Sequence, residues 1–403
     1  MKYNINKYIN YSIFGFALSL SISKAGTVIF SLLMIILWLF EGQYKDKIKI
    51  LKKSNFIVFL FFIILLSAIS IIWSPDKEYA LNFIRKYWHF LVIPIIFTSL
   101  KKEYIKHVVT FFLIGILISM IFSYGIFFEL INYKDVLPSN PAPFMDHMNY
   151  STYLAFASLL LLNRFFFEEE LKYKLFYCIY FLVTTSSLFI NGGRTGQAIF
   201  VLTIFIVGFI NIKRKFLALL CMLIITTSIL FIAYNVSPNF QNRLSSAVVD
   251  TKDIIDGDFG GSLGQRVSLW IIGSNIFVDN ILTGTGTGNE LNGFKYYAEK
   301  YDFPDYNLEG YDKVGFVDYH NSFIQYAVQL GLIGLFLYLG IFYSLLRHKF
   351  QDRLYRNLNI IFITVFILHS MVFFSFHLIH PMVLFSLFAS LLAVISREGY
   401  KEV

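Results

Sequence analysis

Runs of about 20 mostly apolar residues recur from one end of this 403-residue chain to the other, and the charged residues fall in clusters between them. A helix needs roughly that length of apolar sequence to cross the hydrocarbon of a bilayer. Only 15% of the residues are charged and 57% are hydrophobic, whereas a soluble domain carries about 25% charged residues. The mean hydropathy is +0.63. These features predict an all-α integral membrane protein, a polytopic bundle of about 12 transmembrane helices with one large, partly helical loop on the outward side.

The predicted spans are residues 11–23, 25–40, 56–73, 87–100, 107–131, 149–163, 175–190, 196–211, 216–235, 321–346, 357–375 and 378–396. Only "SKAG" around Lys24 separates the first two, so the count is eleven or twelve. With twelve spans and a cytoplasmic N-terminus, the inward loops and both tails hold 22 of the 34 Lys and Arg residues. Of the other 12, six lie in one long loop, Val236 to Asp318, which is too long to count under the positive-inside rule. Both termini are therefore expected in the cytoplasm. The same tally accounts for the net charge of +8 as a topology signal and leaves no case for nucleic acid. Cys178 and Cys221 both fall in spans and suggest neither a disulfide nor a thiolate metal site. No cleavable signal pattern is evident, and the first span would serve as an anchor.

The expected organisation is a membrane bundle of about nine spans over residues 1–235, an outward loop domain over 236–318, and three closing spans over 319–403. The loop domain carries twelve Asp and Glu against six Lys and Arg. Within it "GQRVSLWIIGSNIFVDNILTG" reads as an amphipathic helix from about Arg266 to Leu282, while "GTGTGNELNG" and "DFPDYNLEGYD" read as loop. It is small and poor in apolar residues for a unit that folds alone.

An ion-coupled transporter usually keeps a carboxylate or a basic group deep in a span. No Asp, Glu, Lys or Arg lies in the middle of any predicted span. His369 is the one mid-span ionisable candidate, and its ordinary role is that of a neutral histidine bonding a helix carbonyl. A transporter or flippase is the alternative of another class.

The polar groups that stand out gather on the outward side. Arg194 lies in the tight hairpin "NGGRTGQ", where Gly192, Gly193 and Gly196 allow the turn and a close backbone approach. Arg266 begins the loop helix, and His320 begins the tenth span. Each has an ordinary explanation: snorkelling to headgroups for Arg194, pairing with a nearby acid for Arg266, an interfacial cap for His320. Their conjunction at one depth points instead to a site.

The sequence resembles the O-antigen ligase and polymerase superfamily of bacterial envelope glycosyltransferases. The likeness covers most of the chain: about twelve spans, a short outward "RTG" hairpin, and a large outward loop ending at a histidine. Its most specific element is the ligase-type pattern of His, then Asn, Ser or Gln, nine residues, then Gly-x-x-Gly, here His320, Asn321, Gly331 and Gly334. The family pattern often continues with Thr where this chain has Leu335, so ligase and polymerase both stay open, with the ligase type favoured. "GQRVSLWIIGSNIFVDNILTGTGTGN" resembles the family's run of arginine, tryptophan and Gly-x-Gly, and carries over Arg266, Gly284 and Gly286. "GTGTGN" is not a P-loop, because no strand precedes it and no Lys-Ser/Thr follows, and is read as loop geometry.

The resemblance implies transfer of a glycan from undecaprenyl diphosphate to a lipid A-core sugar at the periplasmic face of the bacterial inner membrane, with membrane lipid as surroundings and no cofactor. In that reaction arginine suits the diphosphate, because its planar fork binds phosphate oxygens bidentately and stays charged. Arg194 and Arg266 are the candidates. A histidine suits the deprotonation of an acceptor hydroxyl, and His320 at a helix start would be kept neutral by the positive end of the helix dipole. Counted along one helix, His320, Ala327, Gly331 and Gly334 share a face, and Asn321, Gln325 and Gln329 form a polar stripe beside it. Asn321, Arg85, Lys86, His147 and Asn149 are further candidates for binding acceptor or carrier phosphate. "DGD" at Asp256 to Asp258 resembles a short metal-holding motif but faces outward, away from cytoplasmic nucleotide sugars, and His377 and His380 lack a third ligand. No metal site is expected.

Overall fold

The computed structural model describes residues 2–288, 291–303 and 318–399, and among them every regular element is helical. Residues 304–312 of the predicted "DFPDYNLEGYD" loop lie outside the described residues. In chain order the helices are α1 (Lys2–Ser19), α2 (Lys24–Glu41), α3 (Tyr44–Leu51), α4 (Asn55–Ile69), α5 (Lys77–Arg85), α6 (Val92–Ser99), α7 (Ile105–Phe127), α8 (His147–Phe167), α9 (Leu171–Ile190), α10 (Arg194–Asn211) and α11 (Lys215–Val236), then α12 (Pro238–Ile255), α13 (Ser262–Asp279) and α14 (Leu291–Lys300), and finally α15 (Ser322–Leu346), α16 (Arg353–Ser370) and α17 (Ile379–Glu398).

Among the described residues eight helical segments are long and apolar enough to cross a membrane: α2, α4 with its 3-10 extension to Ile72, α7 with the turn before it, α9, α10, α11, α15 and α17. The other four predicted spans fall on α1, on a 3-10 turn (Lys86–Leu91) followed by α6, on α8 and on α16. The first of these differs from its predicted bounds. α1 ends at Ser19 because the chain turns to let the Ser23 side chain cap α2, accepting the Gly26 N–H at 3.0 Å. At 21 residues α8 is about 31 Å long, but it is wrapped by protein and carries polar groups on several faces. Its Asn163 accepts from Asn211 of α10 at 3.3 Å, and Asn211 in turn accepts from Asn357 of α16 at 2.9 Å. Because lipid tails are as apolar as leucine, such interhelical hydrogen bonds and close packing, rather than exclusion from water, hold helices together in a bilayer.

The core is built on α17, of which 83% is buried, whereas α2 and α11 are 22% buried and so present most of their surface outward. Phe388 of α17 meets Phe112 of α7 at 5.0 Å and Phe156 of α8 at 4.6 Å, both edge to face, the arrangement favoured by the ring quadrupoles. Helices α13 and α14 build a second, smaller hydrophobic cluster, distinct from that of the bundle. Leu269, Ile272, Ile276, Phe294 and Tyr297 close onto Tyr319 and Val328, at the start of α15. The predicted loop helix is therefore present as α13, and it packs on the membrane bundle.

One buried ion pair fixes the amino-terminal helices. Lys47 of α3 lies 2.7 Å from Glu41 of α2, with side chains 6% and 10% exposed. Asn6 of α1 donates to Glu41 at 2.7 Å and Ser99 of α6 at 3.2 Å, while Lys47 sits 4.3 Å over the Trp38 ring. Replacing one member leaves the other charged and buried. Glu41→Ala should cost about 3–5 kcal/mol, read as a lowered unfolding midpoint in detergent, whereas exposed Glu103→Ala should leave that midpoint unchanged.

Candidate active site

The helix that follows His320 is broken. Gly331 has φ 65° and ψ −159° inside α15, so the predicted continuous face of His320, Ala327, Gly331 and Gly334 does not exist as one helical stripe. A break in a span exposes backbone groups that must find partners. Here Thr285 and Gly286 donate their N–H groups to the carbonyls of Val328 and Gln329, both at 2.9 Å, and Leu332 donates to the Ile281 carbonyl at 2.8 Å. The "GTGTG" stretch is thus loop, as expected, and it replaces the hydrogen bonds that α15 gives up. Gly284, with φ 65°, and Gly331 touch backbone to backbone, and a Cβ on either would overlap the other strand of the contact. Thr287 anchors the loop by donating its N–H to Ser70 Oγ at 2.8 Å.

α15 starts at Ser322 and not at His320. Asn321 is the N-cap, its Oδ1 accepting from the Phe323 and Ile324 N–H groups at 2.9 and 3.2 Å; asparagine is among the best caps. His320 therefore stands just ahead of the cap, in the left-handed region with φ 48°. Asp318 holds it there. One carboxylate oxygen accepts the His320 N–H at 2.8 Å, and the other lies 4.0 Å from Nδ1. The imidazole is 38% exposed and the carboxylate 23%. Burial pushes the His320 pKa below its usual value, Asp318 partly offsets this, and Arg266 adds to the lowering. Asp318 was not among the sequence-predicted site residues, although the Asp-x-His spacing is the one at which a carboxylate can accept the histidine's own N–H.

Phe373, in the segment between α16 and α17, joins the parts. The Arg266 guanidinium lies 5.8 Å over its ring, and the His320 ring meets its edge at 6.2 Å. Its segment is pinned to α15: Ser322 Oγ donates to the Phe373 carbonyl at 2.8 Å and accepts the Ser375 N–H at 2.9 Å. His369, the mid-span histidine, bonds Ser375 Oγ at 2.8 Å rather than a helix carbonyl.

Arg194 is the first residue of α10. Its hairpin lies against the start of α8, where a Cβ on Gly193 or Gly196 would overlap Ser151. Arg194 is within electrostatic reach of both Arg266 and Arg243, the latter on α12, with Asp318 and Asp250 as the opposing charges. Among the described residues none of these three guanidiniums makes an ion pair or a side-chain hydrogen bond. Partly buried guanidiniums without an ion pair, one of them sharing a ring with a titratable imidazole, are the groups that binding a polyanion next to a proton acceptor calls for. Arg243 was also missed from sequence, since one arginine on an exposed amphipathic helix carries no local signal.

The other sequence-predicted residues are placed as follows. Lys86 donates to His377 Nε2 at 2.8 Å, while Arg85 is exposed beside it. Asn149 is buried in the cap of α8, where its amide donates to Asp146 at 2.5 Å. His147 is the first residue of α8, within electrostatic reach of Asp146 and Arg243. In "DGD", Asp258 accepts the Gly260 N–H at 2.8 Å in a turn with Gly257 at φ 88°. Among the described residues no group of three His, Cys, Asp or Glu is placed to hold a metal ion.

Residues 179–339, from the middle of α9 into the second half of α15, match the family model described as O-antigen ligase. Over these residues the chain is similar to the O-antigen ligase and polymerase superfamily. Arg194, Arg266 and His320 all lie inside the matched segment. Members of this family are glycosyltransferase-like enzymes acting on lipid-linked glycans. No curated protein gives a significant match to the chain.

Proposed function

We propose that this protein is an O-antigen ligase, transferring a glycan from undecaprenyl diphosphate to a sugar of a lipid A-core acceptor. The carrying observation is Arg266, without an ion pair among the described residues, sharing the Phe373 ring with the His320 imidazole, with Arg194 within its electrostatic reach. In the proposed reaction an acceptor hydroxyl oxygen forms a bond to the anomeric carbon as the bond from that carbon to the diphosphate oxygen breaks. His320 takes the hydroxyl proton. The charge that develops on the leaving diphosphate falls to Arg194 and Arg266, with Arg243 within electrostatic reach of Arg194, and Asp318 fixes the His320 backbone and faces its ring with a carboxylate. Such electrostatic preorganisation is usually the largest part of catalysis.

The loop charges support placing this end of the bundle on the periplasmic side of the inner membrane. In this arrangement α1, α6, α8 and α16 cross as well, giving twelve spans with both termini cytoplasmic, residues 1–235 and 319–403 in the membrane, and 236–318 outside it.

Deletion of the gene tests the reading directly. Loss of polymer on lipid A with long carrier-linked chains accumulating is the expected result. Single-repeat products would make the protein a polymerase, and carrier-linked glycan stranded inside would make it a flippase. In detergent, the purified protein should transfer glycan in excess chelator without ATP, since the donor linkage carries the energy. Activity abolished by chelator and restored by magnesium or manganese would return attention to Asp256 and Asp258.

A further inference from the structure

The short helix α3 divides its lysines between two faces. Lys47 points into the protein, where it pairs with Glu41 and donates to the Trp38 carbonyl at 3.1 Å, and Tyr44 adds a hydrogen bond to the Leu39 carbonyl. α3 is thereby tied to the end of α2. Lys45, Lys49 and Lys52, the last just past the helix with its backbone still helical, recur at i, i+4 and i+7 and so share one face. All three are exposed, and among the described residues neither they nor the neighbouring Asp46 make an ion pair or a side-chain hydrogen bond.

That face borders an apolar groove. The groove, of about 720 Å³, starts at Ile48, Leu51 and Lys52, follows Ile57 and Phe61 of α4, and reaches Trp88 in the turn before α6. Among the described residues Lys52 is the one charged group on its wall. Ile48 lies between Lys45 and Lys52 along the helix, so the lysine face and the groove share an edge. α4 is only 28% buried, which leaves the groove open to the bilayer. Loop basicity that only sets topology would be served by lysines anywhere between α2 and α4. It does not call for three unpaired lysines on a single face of an anchored helix, at the mouth of an apolar groove.

We propose that this groove holds the acyl chain of an anionic glycerophospholipid whose headgroup phosphate is bound by Lys45, Lys49 and Lys52. Charge complementarity selects the occupant, since each lysine at a membrane surface favours an anionic over a zwitterionic headgroup by about 5-fold. The undecaprenyl diphosphate donor is a different lipid at a different place: its diphosphate falls to Arg194 and Arg266, which the proposed topology puts on the opposite side of the membrane. In that topology the segment between α2 and α4 is cytoplasmic, so the lipid comes from the cytoplasmic leaflet. The proposal takes only this leaflet from the ligase reading, and the chemistry of the site does not depend on glycan transfer.

The test is native mass spectrometry of the purified full-length protein in mixed micelles holding equal amounts of dioleoyl phosphatidylglycerol and dioleoyl phosphatidylcholine, which share their chains and differ in charge. Wild type should prefer phosphatidylglycerol by at least about 10-fold, less as salt rises. The Lys45→Gln/Lys49→Gln/Lys52→Gln variant, altered only at exposed positions, should retain the two lipids equally. Val58→Trp, which places a ring in the groove, should lose one bound phosphatidylglycerol with the lysines intact. If that variant does not fold, Leu91→Trp, at a half-exposed position on the groove wall, replaces it. A triple variant that keeps the preference, or a groove variant that keeps its lipid count, overturns the proposal. Preferential retention of undecaprenyl phosphate over phosphatidylglycerol overturns the assigned occupant. None of these readouts needs transfer, so an inactive wild type would end the ligase reading while the lipid counts still decide this site.

Discussion

His320→Ala should lower turnover per folded molecule by about 10²- to 10⁴-fold, the range of a lost acid–base group, while binding of undecaprenyl diphosphate stays near wild type. The geometry separates this outcome from a folding defect. Asn321, not His320, caps α15, and the imidazole's contacts are a ring edge on Phe373 and the neighbouring Asp318. Truncation thus removes little packing and no cap. The measurement is transfer rate per folded molecule beside carrier affinity. Near-normal turnover by the Ala variant would remove His320 from the chemistry.

The pH dependence carries the same assignment further. A general base must be neutral, so the acid limb of kcat/KM follows the His320 pKa of the free enzyme. Burial lowers that pKa and Arg266 lowers it further, so the limb should lie below the usual histidine value of about 6.5. Asp318 favours the protonated form and opposes this shift. In Asp318→Asn an amide oxygen can still accept the His320 N–H but the charge is gone, so the limb should move to still lower pH. A limb that stays in place would leave Asp318 as a backbone anchor.

Which helices exist was legible because apolar runs of span length have few other uses, and loop basicity marked their ends. Their interruptions were not. Gly331 in "QLGLIGLF" looks like any small residue that lets helices approach. What opens the helix there is the loop at residues 281–286, whose N–H groups and carbonyl serve the broken turn. A break sustained by a segment some 45 residues away in the chain leaves no local trace. α8 shows the converse: its Asn and Ser residues weaken it as a lipid-facing span, and they are explained by its neighbours.

The site was legible in part for a similar reason. Arg194, Arg266 and His320 each stood out as a polar group at a span boundary, and the spacing from His320 to Gly331 and Gly334 tied them to a family. The meeting of Arg266 and His320, however, depends on Phe373, whose segment is pinned to Ser322 across the fold. Arg243 had no distinguishing context.

Arg266→Lys and Arg194→Lys should each cut transfer by about 10- to 100-fold although the charge is kept, corresponding to loss of a hydrogen bond to a charged group worth about 1.5–3 kcal/mol. An ammonium is a compact point charge, whereas a guanidinium offers a planar fork that binds two phosphate oxygens and stacks on a ring. At Arg266 both properties are in use, since the group lies 5.8 Å over Phe373, so this variant should be the more impaired of the two. Because neither guanidinium has an ion pair or side-chain hydrogen bond among the described residues, substitution breaks no such contact in the resting protein, and stability should change little. The defect should appear in donor KM and in kcat together, because the same oxygens are held in the ground state and gain charge as the diphosphate leaves. That pattern differs from His320→Ala, where kcat alone falls. Wild-type transfer by Arg194→Lys at normal expression would reduce Arg194 to a topological anchor and leave Arg266 and Arg243 to hold the diphosphate.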